Sequence, residues 1–278
     1  MRIGILLHRN AKPLDESGLF IRHLVSRWRA QGLQVEVLHG TATRPRVDLL
    51  IPQIDLTVRP ARYHRFVLGY ERVVNRNLAD ISKRHYSSQL LEHGTPWNGP
   101  VIIKTDRNCG GRPEATLRAL SRRERIRNLL RYRVLRRTRP EPYTIYESLD
   151  QVPREVFLDH AYIVEKFVPE QEGDLYFLRN WLFFGDRGVV LRIGSRRPVV
   201  KGSQVVIREE PGREVPEELQ AFRERWSIDY AKIDFVMHQG RPVILDVNPT
   251  PTSSRGPSER IEGLAAILAG GLPSLVGR

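Results

Sequence analysis

The sequence predicts an α/β unit leading into a strand-dominated α+β unit, and three observations carry that prediction. Residues 1–56 set short apolar strands around one amphipathic helix, the order that begins a partly parallel sheet. From residue 101 onward most apolar runs are short and strand-like, with one long helical stripe between them. No internal repeat or low-complexity linker divides the chain.

Taken in order, MRIGILLHRN is a short apolar strand ending in a polar loop. GLFIRHLVSRWRAQG repeats Phe20, Leu24 and Trp28 at helical spacing and stops at Gly32. LQVEVLHG and VDLLIPQIDL are the next two strands, and residues 71–92 read as a connecting segment followed by a helix. GPVIIKTDRNCGGRPE is a strand entering a glycine-containing loop. A helical stripe of Leu117, Leu120, Ile126, Leu129, Leu130 and Val134 follows it. AYIVEKFV, YFLRNWLFF, GVVLRIG and KGSQVV are further strands, and YAKIDFVMHQGRPVILDVN reads as a hairpin turning near Gly240.

A chain of 278 residues, 40% hydrophobic and 28% charged, has ample core for one large domain or two modest ones. No apolar run reaches the length of a membrane span. His8, Arg9, Lys12, Asp15 and Glu16 interrupt the region where a signal peptide needs its apolar stretch, so a cytoplasmic protein with no membrane partner is expected. The single cysteine, Cys109, excludes an internal disulfide and a cysteine-cluster metal site. A net charge of +13 favours anionic partners: a nucleotide, an acidic peptide or nucleic acid.

The hairpin carries an unusual face. Side chains alternate along a strand, so Ile244, Asp246 and Asn248 share one side of the last run. If Met237 pairs with Val243, Asp234 falls opposite Asp246 and Lys232 opposite Asn248. Like charges directly opposite destabilise a sheet unless a cation lies between them, and carboxylates with an amide are how magnesium is held beside a nucleotide. Solvated acids bridged to Lys232 would produce the same pattern.

Two other stretches bear on chemistry. VIIKTDRNCGGRPE places Lys104 at a strand end before Gly110 and Gly111, where backbone N–H groups can converge on an anion and a lysine adds a point charge. A snorkelling surface lysine reads the same way. YIVEKFVPEQEGDLYF ends an apolar strand at Pro169 and follows it with Glu170, Glu172 and Asp174. That hinge can meet an adenine edge and ribose hydroxyls, or can be a plain acidic turn.

Together, in this order, the stretches resemble the ATP-grasp superfamily, and most closely its glutathione synthetase and ribosomal-protein glutamate ligase branch, over about residues 76–258. The resemblance implies an ATP-grasp fold: a reduced N-terminal α/β domain over residues 1–75, then an ATP-grasp domain over 76–278 whose two α+β subdomains clamp ATP. It implies catalytic roles for Arg192 and Lys104, and nucleotide contacts from Arg84, Lys104, Gly110, Gly111, Glu165, Lys166, Phe167, Val168, Glu172 and Asp174. Asp234, Asp246 and Asn248 match the metal set, for two magnesium ions or for manganese. Arg179, Thr250 and Thr252 match the substrate side, where NPTPTSS is similar to the segment that cradles the acceptor. Four departures stand out. Asp246 replaces the usual glutamate, Arg84 stands where the first ATP lysine is expected with Lys83 beside it, Tyr176 stands where relatives often have arginine, and the segment between lid and hinge is longer than in compact relatives.

The implied activity is ATP-dependent ligation of a small-molecule or peptide carboxylate to an amine through an acyl phosphate. A kinase acting on a small hydroxyl compound is one rival, and a nucleotide-regulated protein binding RNA or an acidic partner is another. The third reading draws on LSRRERIRNLLRYRVLRRTR, nine arginines and one acid between Leu120 and Arg139, which is either a solvated helix face or an anion-docking patch. His8, His64, His85 and His93 read as ordinary surface histidines.

Overall fold

In the computed structural model, residues 1–117, 126, 130, 141–209, 214–253 and 258–277 are described. Strands β1 (Arg2–Leu7) and β3 (Leu49–Gln53) are apolar runs buried on both faces, whereas β2 (Gln34–His39) alternates exposed positions with half-buried ones and buries Leu38 alone. That difference follows from their order, β2-β1-β3, with both pairings parallel, which leaves β2 at an edge. Helix α1 (Ile21–Ala30) packs Leu24, Val25 and Trp28 against Ile3, Ile5 and Leu7 on one face. Helix α2 (Ala61–Leu68) packs Tyr63 and Val67 against Leu6 and Leu50 on the other.

Two short helices, α3 (Lys83–Tyr86) and α4 (Arg112–Leu117), flank a small antiparallel sheet. In it β4 (Val101–Thr105) runs between β5 (Ile145–Tyr146) and β6 (Tyr162–Lys166). Val101 and Ile103 turn into a core closed by Val156 of α5 (Arg154–Leu158), so alternation sends Ile102 and Lys104 to the opposite face.

The large sheet is antiparallel throughout. It comprises β7 (Glu170–Glu172), β8 (Leu175–Phe184), β9 (Arg187–Ser195), β10 (Ile207–Glu209), β11 (Tyr230–His238) and β12 (Arg241–Asn248), in the order β10-β9-β8-β11-β12 with β7 also pairing β8. Trp181, Phe183, Ile233 and Phe235 face α6 (Glu217–Arg225). Leu182, Phe184 and Tyr230 point the other way, into a core with α1 and α7 (Glu259–Ala269), so the N-terminal sheet and the large sheet share one hydrophobic interior. The chain closes with α8 (Pro273–Val276).

Several expectations change here. Residues 71–92 supply only the four-residue α3, and KGSQVV is not a strand: a 3₁₀ turn spans Gly202–Gln204, and β10 begins at Ile207. The arginine-rich segment 122–139 lies outside the described residues apart from two isolated positions. Among the described residues no helix is long and apolar enough to cross a membrane.

Candidate active-site cleft

The register of the last hairpin decides whether the two acids meet, and it does so by two compensating irregularities. Gln239 and Gly240 form a two-residue turn with φ of 49° and 78°, so His238 pairs with Arg241 and Met237 with Pro242, one residue away from the expected Met237–Val243 pairing. An uninterrupted ladder from that turn would set Leu245 opposite Asp234 and send Asp246 to the other face. A bulge between Asp234 and Phe235 absorbs one extra residue of β12 and restores Asp234 opposite Asp246 and Lys232 opposite Asn248. Leu245, the extra residue, turns into the cleft.

That cleft is a cavity of about 360 Å³ between the inner faces of the small and large sheets. Lys83, Ile102 and Lys104 line one wall, and Leu178, Asp234, Val236 and Asp246 line the other. The segment Lys166–Glu170 closes one side, and Pro198–Lys201 with Tyr143 closes another.

Charges in the cleft are paired across elements. Lys83 Nζ lies 2.7 Å from Asp246 Oδ1, and Lys232 Nζ 2.8 Å from Asp234 Oδ2. Asn180 Nδ2 donates to the other Asp234 oxygen at 2.7 Å. Burial pushes the Asp234 carboxyl above its ordinary range, with Asp246 adding to the effect and Lys232 opposing it. Burial acts the same way on Asp246, but the Lys83 ammonium outweighs it and holds that carboxyl below the ordinary range. Lys104 Nζ lies 2.6 Å from Glu165 Oε2, a pair with side chains 7% and 2% exposed.

The donor chemistry fits magnesium at the carboxylate pair. Asp234 and Asp246 present carboxylate oxygens to the cleft from adjacent strands, the hard donor type that magnesium takes. Asn248 fits less well, because its Oδ1 already accepts the Thr250 N–H at 2.9 Å.

Other expected residues are placed elsewhere. Arg84 turns away and bonds Asp106 Oδ2 at 2.6 Å and the His160 carbonyl, which leaves Lys83 as the cleft-facing neighbour. Arg192 pairs with Arg179 across β9 and β8, and Arg179 with Phe235 across β8 and β11, so all three lie on the α6 side of the sheet, opposite Asp234. There Arg192 is held by Glu170, Glu172 and Glu209, and Arg179 by Glu170 at 2.8 Å. The expected place of Arg192 beside a transferred phosphate, and of Arg179 beside the acceptor, is therefore corrected: strand parity turns both from the cleft. Glu172 faces Arg192, and Asp174 is exposed at 3.9 Å from Arg196, so neither lines the cavity, whereas Glu170 does.

Gly110 and Gly111, with Cys109, form three consecutive left-handed residues, φ 67°, 76° and 47°. This loop lies against the N-terminal unit, where Asn108 N–H donates to Thr57 Oγ1 at 2.9 Å. Thr250 is buried and donates to Asp55 Oδ1 at 3.0 Å, while Thr252 is exposed and bridges to Leu19. Lys83, Asn180, Tyr143 and Lys201 were not among the expected site residues. Only Lys83 had a signal in the sequence, its place beside Arg84.

No protein-family model matches the sequence, and no curated protein matches it. Solved structures do. The RimK domain ATP-grasp protein of Sphaerobacter thermophilus is 13% identical, with 98% of this chain and 100% of that chain covered and a TM-score of 0.51. A D-alanine–D-alanine ligase from Bacillus anthracis is 12% identical over 100% of this chain and 96% of that one, with a TM-score of 0.46. The first likeness shows that the chain has the ATP-grasp fold.

Proposed function

We propose that this chain is an ATP-dependent carboxylate–amine ligase that forms an amide through an acyl phosphate, with residues 1–75 as an N-terminal domain and 76–278 as the ATP-grasp domain. One observation carries the reading: Lys83 and Lys104 from one wall and Asp234 and Asp246 from the other converge on one cavity, Lys83 meeting Asp246 directly at 2.7 Å, and the remaining lining is largely apolar. Cations for phosphate oxygens, carboxylates for a phosphate-bound cation, and Ile102, Phe167 and Leu178 for a flat base are together complementary to a magnesium nucleotide.

In this reading Asp234 and Asp246 hold magnesium, which when bound neutralises charge on the phosphates. Lys83 and Lys104 bring their ammonium groups to the same oxygens and stabilise the transferring phosphoryl group as its charge spreads. A substrate carboxylate oxygen attacks the γ-phosphorus and ADP leaves. The amine, after losing one proton from its ammonium form, attacks the acyl carbon and loses a second, and inorganic phosphate departs. The small sheet, the hinge and the Pro198–Lys201 segment exclude water, which would otherwise hydrolyse the mixed anhydride. Arg192 and Arg179, which strand parity turns to the other face, are left out of the chemistry, although Glu170, which holds them, reaches the cavity wall.

Nucleotide binding with and without magnesium tests this. Wild type should bind ATP at least ~10-fold more tightly with magnesium, and Asp246→Asn combined with Asp234→Asn should lose that difference. An equal magnesium effect in the double variant would overturn the metal assignment.

A further inference from the structure

Buried acids in this fold come with cations. Asp246 has Lys83, Asp234 has Lys232, Glu165 has Lys104, and Glu170 has two arginines. Asp55 and Glu114 are the exception: among the described residues neither forms an ion pair. Asp55 follows the carboxyl end of β3, and Glu114, 7% exposed, sits in α4. Burial pushes the Asp55 carboxyl up, and the nearby Glu114 adds to it, against the pull of the Thr250 hydroxyl.

Three neighbouring polar side chains have atoms left without a partner. Gln53, 1% exposed, donates its Nε2 to the Pro52 and Pro249 carbonyls, and its Oε1 has no hydrogen bond. Glu114 accepts the Thr57 N–H at 2.9 Å on Oε1, and its Oε2 has none. Asn108, 4% exposed, is tied to Thr57 through its backbone, and its Nδ2 has none. A buried acceptor without a donor costs on the order of 1–3 kcal/mol, so two of them beside an unpaired acid mark a place built for donors.

The place is where a substrate belongs. In a parallel sheet ordered β2-β1-β3 the chain changes direction between β1 and β3, and ligands bind outside the carboxyl ends of such strands. Thr250, two residues beyond the end of β12, which carries Asp246, donates its hydroxyl to Asp55 Oδ1 at 3.0 Å and so ties the place to that strand.

We propose that Gln53, Asp55, Asn108 and Glu114 form the subsite for the amine substrate and recognise it by a primary ammonium group. Three acceptor groups (two carboxylates and the Gln53 amide oxygen) match the three hydrogens of an ammonium, and Asn108 Nδ2 supplies a donor for an oxygen beside it. The site thus takes a cation in a chain whose net charge of +13 attracts anions. The inference rests on the ligase reading, which makes an amine a substrate.

The test uses the full chain and two probes, L-alaninamide, which carries a primary ammonium, and its N-acetyl derivative, which does not. Binding is read by NMR chemical-shift changes, and ATP binding is measured on the same samples. Wild type should bind the ammonium probe and not the acetylated one, and Asp55→Asn with Glu114→Gln should weaken that binding at least ~10-fold. Because neither acid loses an ion pair, Tm should hold or rise in the double variant, whereas a purely structural role would lower it. Binding of neither probe, equal binding of both, or no effect of the double variant would overturn the proposal. A protein that discriminates the probes but binds no magnesium ATP would instead sink the ligase reading and leave the ammonium site standing.

Discussion

At the scale of residues, the cleft is a set of charges that neutralise one another until a ligand arrives. Lys104 shows the consequence. Its partner Glu165 is 1% exposed and has one carboxylate oxygen without a hydrogen bond, so removing the ammonium strands a buried anion. Lys104→Met should therefore lower stability by about 3–5 kcal/mol, and Lys104→Met with Glu165→Gln should recover most of it. Denaturant midpoints check this, and equal stability of the single and double variants would contradict it. The shared face of Asp234 and Asp246 was legible in the sequence because strand alternation fixes it once the register is set, whereas Lys104 and the hinge Glu165–Val168 were picked out only by the family resemblance. Lys83 against Arg84 was not legible, since two adjacent cations on a four-residue helix leave its phase undetermined. Arg192 was misplaced for a related reason: parity within GVVLRIG has meaning only once its partners on β8 are known.

At the scale of elements, the β11–β12 hairpin depends on a turn and a bulge that correct each other. Gly240 has φ of 78°, and a Cβ built there meets nothing within 4 Å, so a side chain at this position is strained by its backbone alone. Gly240→Val should cost about 1–2 kcal/mol, measured as a shift in the unfolding midpoint, and an unchanged midpoint would show that the turn is not left-handed. The pairing of the two acids was legible, but the means was not, because a two-residue turn with a bulge and a longer turn without one end in the same register. Helices α2, α6 and α7 were also missed. Helix α6 buries only Leu219 and Phe222 among charged neighbours, and its place is decided by the apolar face of the large sheet that it covers.

At the scale of the whole molecule, an α/β sheet and a large antiparallel sheet share one core, and a small sheet faces the second across the nucleotide-sized cavity. The order of apolar runs carried the succession of an α/β part and a strand-dominated part, since strand–helix–strand spacing and period-two alternation survive without any knowledge of packing; the facing sheets were implied only by the family resemblance, and the shared core had no sequence signal. The proposed amine subsite escaped the sequence because its residues come from two distant segments, 53–55 and 108–114, which meet only in the folded chain. What the assembled molecule is proposed to do turns on a carboxyl phosphate, an electrophile that a small nucleophile intercepts. The most direct measurement incubates the protein with magnesium ATP, a panel of acidic amino acids and peptides, and hydroxylamine. The account predicts ADP, inorganic phosphate and a hydroxamate of one member of the panel. A stable phosphoester of a hydroxyl compound, formed with no phosphate release and no hydroxamate from any carboxylate, would contradict it and assign the cleft to a kinase.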